Sequence, residues 1–432
     1  MAELFVKLND REASPYSSDE LKRLASSGQF KENDLVFHED TQEWLQAGEI
    51  DELDKIFEIE NPGTRERTVF AVGGGKGGVG KTILTASLGI GLASLGKKVI
   101  IVDADLGGAN LHTAMGILEP KYTFYHFYTL QRDKLSDIVL DTPVENLKLI
   151  SGACGTLGLA NPRFSQKQRF ISELRQLDAD YILLDLGAGA SYNVIDFFLA
   201  ADQGILVTTP EPMAIQETFN FVKIALYRKL SREFRNNQAV SSLLEQDLMA
   251  QPGKMAATTV DMLNELQKMD SKATTKIKDF LSSFRPRLIL NMVQGHDEIK
   301  EGDSLRTALK ELLSIDIDYM GSIDYDKNVR KSIKSLRPFI LDNPKSKASR
   351  SLTKMITAGI MKKGGFQGFK QKRRVIQNIT DESKTFPKTN LKESEVICSV
   401  KCFYWDDCEY QEGGYPCPIR HLDPIFGRKK TV

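Results

Sequence analysis

The chain has 432 residues, 41% hydrophobic and 27% charged, with 58 Lys/Arg balancing 58 Asp/Glu. That length suits two or three domains with cores that need no disulfides, and zero net charge supplies no global field to draw the protein to nucleic acid. No run approaches the ~20 apolar residues of a membrane-spanning helix, and the charged start MAELFVKLND reads as neither a secretory signal nor a transit peptide, so the expected location is the cytoplasm.

Residues 1–58 read as a small α+β module. ELFVKL and DLVFH are strand-like, and Ser17 and Glu20 have capping-box spacing ahead of a helix with Leu21, Leu24 and Ala25 on one face and Gly28 at its end. Trp44 and Leu45 are expected to close its core. Residues 1–61 hold six Lys/Arg against sixteen Asp/Glu, a net −10. Residues 59–67, with Asn61-Pro62-Gly63-Thr64, read as a linker.

Over 68–361 apolar strand-like runs (TVFAV, KVIIV, LKLI, YILLD, GILVT, RLILN, DYMGSI) alternate with helical stretches. Near-continuous apolar strands are those of a sheet covered on both faces, so the pattern predicts a doubly wound, mostly parallel α/β sheet. A polar helical insertion occupies about 231–283. The final helix of the 68–361 domain carries Leu352, Met355, Ile356 and Ile360 as an apolar stripe, which would either pack on the sheet or, with the basic residues after it, lie on an anionic membrane. Residues 362–390 read as a basic linker: 362–374 hold six basic and no acidic residues.

Residues 391–432 form a Cys-rich tail, Cys398-x3-Cys402-x5-Cys408-x8-Cys417, with His421 nearby. Four thiolates can enclose Zn²⁺ or ligate an iron–sulfur cluster, or they remain free or redox thiols; the spacing leaves these readings open. Cys154, in SGACG, reads as a small buried apolar residue.

TVFAV runs into Gly73-Gly74-Gly75-Lys76-Gly77-Gly78-Val79-Gly80-Lys81-Thr82 and then a helix. Gly75 to Thr82 satisfies G-x-x-x-x-G-K-T in the strand–loop–helix setting that a phosphate loop requires. Glycines let backbone N–H groups converge on phosphate oxygens at a positive helix end. Lys81 is expected to reach the β- and γ-phosphates of ATP and Thr82 to ligate Mg²⁺.

The loop form Lys-Gly-Gly-Val-Gly-Lys-Thr resembles the deviant Walker A loop of the MinD/ParA ATPases, and the resemblance covers 68–361. It implies that Lys76 crosses a dimer to the partner's nucleotide. It also implies that Asp105, in DADLGGANL, positions the attacking water, that Asp103 organises the Mg²⁺ shell, and that Asp185, in DLGAG, holds Mg²⁺ through water. Asn291 after RLILN would read the adenine edge, and Thr209 and Pro210 would border the base and the dimer interface. DADLGGANLH, DLGAGASYNVIDFFLAAD, TTPEPMAIQETFNFVK and IDYDKNVRKSIKSLRPFI resemble FlhG-type flagellar-number regulators in particular. That implies a slow ATPase (ATP and water to ADP and phosphate) that forms an ATP-dependent homodimer, meets a further protein partner, and can lie on the inner membrane face through a C-terminal amphipathic helix.

Ser14-Pro15-Tyr16, Asp19-Glu20-Leu21, Gly28-Gln29-Phe30 and Trp44 resemble the small GYF-like modules that bind Pro-rich peptides. Ser14 stands where those modules have Gly, and a purely scaffold role for Tyr16, Phe30 and Trp44 as core competes with peptide binding. Two further functions share the phosphate loop. An Mrp-type metal-cluster carrier would need a CxxC inside the ATPase domain, which this sequence lacks. A ParA-like partition ATPase would need a basic DNA-binding surface, which the neutral charge and acidic N-terminus disfavour.

Overall fold

The computed structural model describes residues 4–7, 13–26, 29–30, 34–38, 43–47, 50, 53, 67–153, 162–248, 258–361 and 365–387. The four cysteines 398, 402, 408 and 417, Cys154, His421 and most of the 59–67 segment lie outside them.

The N-terminal module is a four-stranded antiparallel sheet, β1 Leu4–Lys7, β2 Ser14–Tyr16, β3 Leu35–His38 and β4 Glu43–Gln46, in the order β2-β1-β3-β4. Its helix Ser18–Ser26 starts on the expected capping box: Ser17 N donates to Glu20 Oε2 at 2.9 Å and Glu20 N donates to Ser17 Oγ at 3.3 Å. Val6, Leu21, Phe30, Val36, Ala47, Ile50 and Leu53 form the core, with Tyr16 and Leu45 packed against it. Trp44 is not core. It is 36% exposed, with Lys7 Nζ 4.3 Å from its ring centroid and the edge of Phe37 against it. On a strand only one side chain of each adjacent pair points inward, and Leu45 takes that place.

The second sheet has eight strands: β5 Thr68–Gly73, β6 Val99–Asp103, β7 Leu140–Asp141, β8 Leu147–Ile150, β9 Tyr181–Asp185, β10 Gln203–Thr208, β11 Arg287–Val293 and β12 Asp318–Asp324. The order is β12-β11-β10-β5-β9-β6-β8-β7, parallel throughout except for the β7–β8 pair at one edge. All seven strand-like runs read from the sequence are strands. Alternate residues feed two separate cores: Val69, Ala71, Ile100, Val102, Ile182 and Leu184 face one, while Phe70, Val72, Val99, Ile101 and Leu183 face the other. This two-sided burial is why the strands read as unbroken apolar runs.

Helices Phe164–Leu174, Tyr192–Ala200, Pro212–Glu233 and Lys300–Leu313 cover the first face, joined by insertion helices Gln238–Leu248, Thr259–Met269 and Ser271–Ser283. The second face is covered by Lys81–Ala93, Phe339–Asp342 and the stretch from Lys347 to Ile360. Leu352, Met355, Ile356 and Ile360 are all buried there, with the end of Ile356 filling the space beside Gly91. The stripe is therefore core, and the reading that lays it on a membrane is corrected. Among the described residues, no helix is long and apolar enough to cross a membrane.

The basic linker also requires correction. Gly365–Thr385 is a helix, and Val375 and Ile379, with Phe386 just beyond it, are buried in the second core. Asn378 Nδ2 donates to Ser94 O at 2.6 Å, and Arg337 donates to Ser383 O at 3.1 Å with its guanidinium over the Phe386 ring. Of the described basic residues that suggested a linker, Arg373 and Arg374 are exposed and Lys370 and Lys372 are half-buried. Ile379→Ala should lower unfolding free energy by about 2–4 kcal/mol, read by chemical denaturation; a change near zero would mean that the segment does not pack.

Candidate functional site

The carboxyl ends of β5, β6 and β9 meet at one place. Parallel register sets Val72 beside Asp185 and Asp185 beside Asp103, so the loop leaving β5 faces two carboxylates on adjacent strands. Open α/β sheets bind ligands outside this edge.

The loop is shaped by glycine. Gly78 and Gly80 have φ of 79° and 94°, backbone that L side chains adopt only with strain. Gly80 is the N-cap of helix Lys81–Ala93, and a Cβ there would lie 2.5 Å from Asn291 Nδ2. Gly77 and Gly78 are exposed, Gly75 and Lys76 half-buried, and Val79 is packed in the second core. The first-turn N–H groups of that helix have no side-chain cap, leaving donors at a positive helix end.

Lys81 is 8% exposed, and its Nζ donates to Lys76 O at 3.2 Å. Burial pulls its pKa below the usual lysine range, against the opposing pull of Asp185 and Asp105. Asp185 is fully buried. Burial raises its pKa to about 7, although a hydrogen bond with Thr82, the charge of Lys81 and a 3.3 Å hydrogen bond from Thr85 Oγ1 favour the carboxylate. Asp103 is pushed well above the usual carboxylate range by burial and then by Asp185, while Leu111 N donates to its Oδ2 at 3.0 Å. Its Oδ1 is buried without a partner. Two desolvated carboxylates beside each other, one with an orphaned oxygen, form a donor set suited to a hard divalent cation. Among the described residues no group of three or more His, Cys, Asp or Glu could hold a metal ion; Mg²⁺ typically takes one or two carboxylates and completes its shell with phosphate and water.

Asp105 sits half-buried at the start of the next loop, where Gly108 N donates to its Oδ1 at 3.1 Å. The ideal Cβ position at Gly187 lies 3.0 Å from Asp105 Oδ1, so the segments after β6 and β9 touch here. Thr209 is buried just past β10, its hydroxyl donating to Glu211, and Pro210 is half-buried beside it. Asn291 has a contact that the sequence did not suggest: its Nδ2 donates to Val79 O at 2.8 Å and its Oδ1 accepts from Met292 N at 2.9 Å. It holds the phosphate loop. The sequence reading also missed Thr85; its i+3 spacing from Thr82 on the helix after the loop was the available signal.

A family model for the CobQ/CobB/MinD/ParA nucleotide-binding domain matches residues 70–339. The chain belongs to this family. A GYF domain 2 model matches residues 5–53. Among characterised proteins the family member is 28% identical over 287 residues to antiactivator FleN of Pseudomonas aeruginosa, covering 65% of this chain and 82% of FleN. It is 34% identical over 189 residues to the flagellum site-determining protein YlxH of Helicobacter pylori, covering 40% and 60% of the two chains. With septum site-determining protein MinD of Bacillus subtilis it shares 28% over 278 residues, 64% and 82% of the chains. Among solved structures, MinD of Pyrococcus horikoshii with Mg-ADP is 20% identical, with a TM-score of 0.44, covering 68% of this chain and 98% of that one.

In this family member, burial makes Asp185 hold a proton more tightly folded than unfolded, raising its pKa from the ordinary carboxylate value of 3.8 to about 7. Stability without nucleotide should therefore fall as pH rises from about 4 to about 7. Asp185→Asn should flatten that slope and raise the denaturation midpoint more at pH 8 than at pH 5, measured by urea titration at both values. An unchanged slope would mean that Asp185 ionises freely in the folded protein.

Proposed function

We propose that this protein is an ATP-hydrolysing regulatory switch whose ATP-bound form is a homodimer and whose output is the placement or number of a flagellum-like or other polar apparatus. The observation that carries the reading is the meeting of Lys81, Thr82, Asp185 and Asp103 at a glycine-shaped loop on the carboxyl edge of the sheet, with Lys76 in that loop and Asp105 beside it. Family membership supports nucleotide binding, and the names of FleN and YlxH support an apparatus of the flagellar kind.

In this reading the backbone N–H groups of residues 75–82 bind the β- and γ-phosphates, and Lys81 neutralises their charge from a buried position. Thr82, Asp185 and Asp103 would hold Mg²⁺, which when bound neutralises charge developing on the phosphates. Asp105 orients water at the γ-phosphate and holds its proton. Lys76, half-buried and bonded through its carbonyl rather than its ammonium, reaches the nucleotide of the second copy. Asn291 fixes the loop through Val79 while bordering the base with Thr209 and Pro210. Hydrolysis is slow alone because residues of one protomer leave the phosphate partly open to water. The segments that follow Asp103 and Asp185 sense the γ-phosphate, and a protein partner reads the dimer, in part through the GYF-like module.

Light scattering tests this directly. Asp105→Ala should double its mass with ATP–Mg²⁺ relative to ADP, while Lys76→Ala and Lys81→Ala stay monomeric and Lys81→Ala loses on the order of 100-fold in turnover. A mass that ignores nucleotide in every variant would defeat the switch reading.

A further inference from the structure

The amino edge of the large sheet, opposite the phosphate loop, carries a second site. A cavity of about 540 Å³ opens there, lined by the starts of β5, β9, β10 and β11. Three arginines converge on it: Arg67, Arg175 and Arg287, against a single carboxylate in the lining, Asp202. Arg287 is only 6% exposed; its Nη1 donates to Gly359 O at 3.1 Å and its guanidinium lies over Phe70. Asp318 pulls on its charge from the wall of an adjoining cavity of about 300 Å³. Arg175 donates to Ala200 O at 3.1 Å and to Asp202 Oδ1 at 3.2 Å, and Arg67 donates to Arg175 O. The Nε of Arg67 is buried without a partner.

A guanidinium has five N–H donors in a planar fork. These three use few of theirs, and the cavity lining carries two more positive than negative side chains. Burying Arg287 costs solvation that one carbonyl, a ring and the charge of Asp318 recover only in part, and a bound polyanion would offset the rest. Gln203 and Thr68 add polar groups to the same wall. The volume lies in the range of small-molecule sites.

We propose that this cavity binds a small phosphorylated ligand carrying at least two negative charges, held by Arg67, Arg175 and Arg287. Two chains of contacts connect the cavity to the phosphate-loop edge of the sheet. β5 lines the cavity at Thr68 and starts the phosphate loop at Gly73, about 16 Å away along the strand. Asp202, which accepts from Val69 N at 2.9 Å, ties Arg175 to β5, and Ala200, whose carbonyl also accepts from Arg175, ends the helix that begins soon after Asp185.

Calorimetric titration of the full chain tests it, with a Lys81→Ala background and Mg²⁺-free buffer to weaken the phosphate loop and the Arg175→Gln variant to assign the remaining binding to the cavity. Pyrophosphate is the probe and citrate the carboxylate control. Saturable pyrophosphate binding is expected, tighter than citrate and weakened at least about tenfold by Arg175→Gln and by Arg287→Lys, which keeps the charge and loses the fork. Arg175 is half exposed, so its variant carries the result should the buried Arg287 variant lower stability. Absence of saturable binding, equal affinity in the Arg175→Gln variant, or citrate binding as tight as pyrophosphate would each overturn the proposal.

Discussion

Two carboxylates and an ammonium withdrawn from water at one edge of a sheet are the constraint on which this molecule turns. Asp103 and Asp185 sit side by side because β6 and β9 pair in parallel, and Lys81 faces them because β5 pairs with β9. Each is desolvated by the two apolar layers that make the sheet stable. Burial shifts all three toward their neutral forms, the acids upward and the lysine downward. This edge thus holds a cluster whose charged states are disfavoured unless groups of opposite charge pair with them. In the proposed function, phosphate oxygens and a cation would relieve that cost, giving the ligand a differential affinity for the arrangement of its surroundings.

The surroundings are linked to that edge by few and definite contacts. Asn291 holds the carbonyl of Val79, which ties the end of β11 to the phosphate loop. Asp105 lies against Gly187, joining the two segments that follow the buried carboxylates. The helix after Asp185 is pinned at Asp196, which is 5% exposed and bonded by Lys167 at 2.7 Å and by Arg228 at 3.1 Å. Burial alone would raise the pKa of Asp196, but these cations hold it below the usual range. Arg232 is a third cation on the same carboxylate, so the charge of Asp196 is shared among three partners from two other helices. The helix is thus anchored part-way along its length, and its far end meets Arg175 at the amino edge of the sheet.

The helix Gly365–Thr385 shows how composition can mislead. Its basic and glycine content resembles that of a tether, yet Val375 and Ile379, four residues apart, lie on one face and meet a surface left open by helices Lys81–Ala93 and Phe339–Asp342. A short apolar stripe carries little weight against six basic residues until the groove that receives it is known. The neighbouring stripe at Leu352, Met355, Ile356 and Ile360 raises the same difficulty: an amphipathic face looks alike whether a sheet or a lipid surface covers it.

The sequence by itself determined the layered parallel sheet, seven of its eight strands, the loop from Gly73 to Thr82 and the aspartates at two strand ends. Each of these is written in contiguous residues, as a period, a glycine pattern or a residue closing an apolar run. Tertiary structure alone decided that Asp103 neighbours Asp185, that Thr85 bonds Asp185, that Asn291 grips Val79 and that Trp44 faces outward. It alone gathered Arg67, Arg175 and Arg287, separated by more than two hundred residues, at one cavity. Strand order and helix docking bring such groups together, and those are set by burial summed over the whole chain, which no local pattern records.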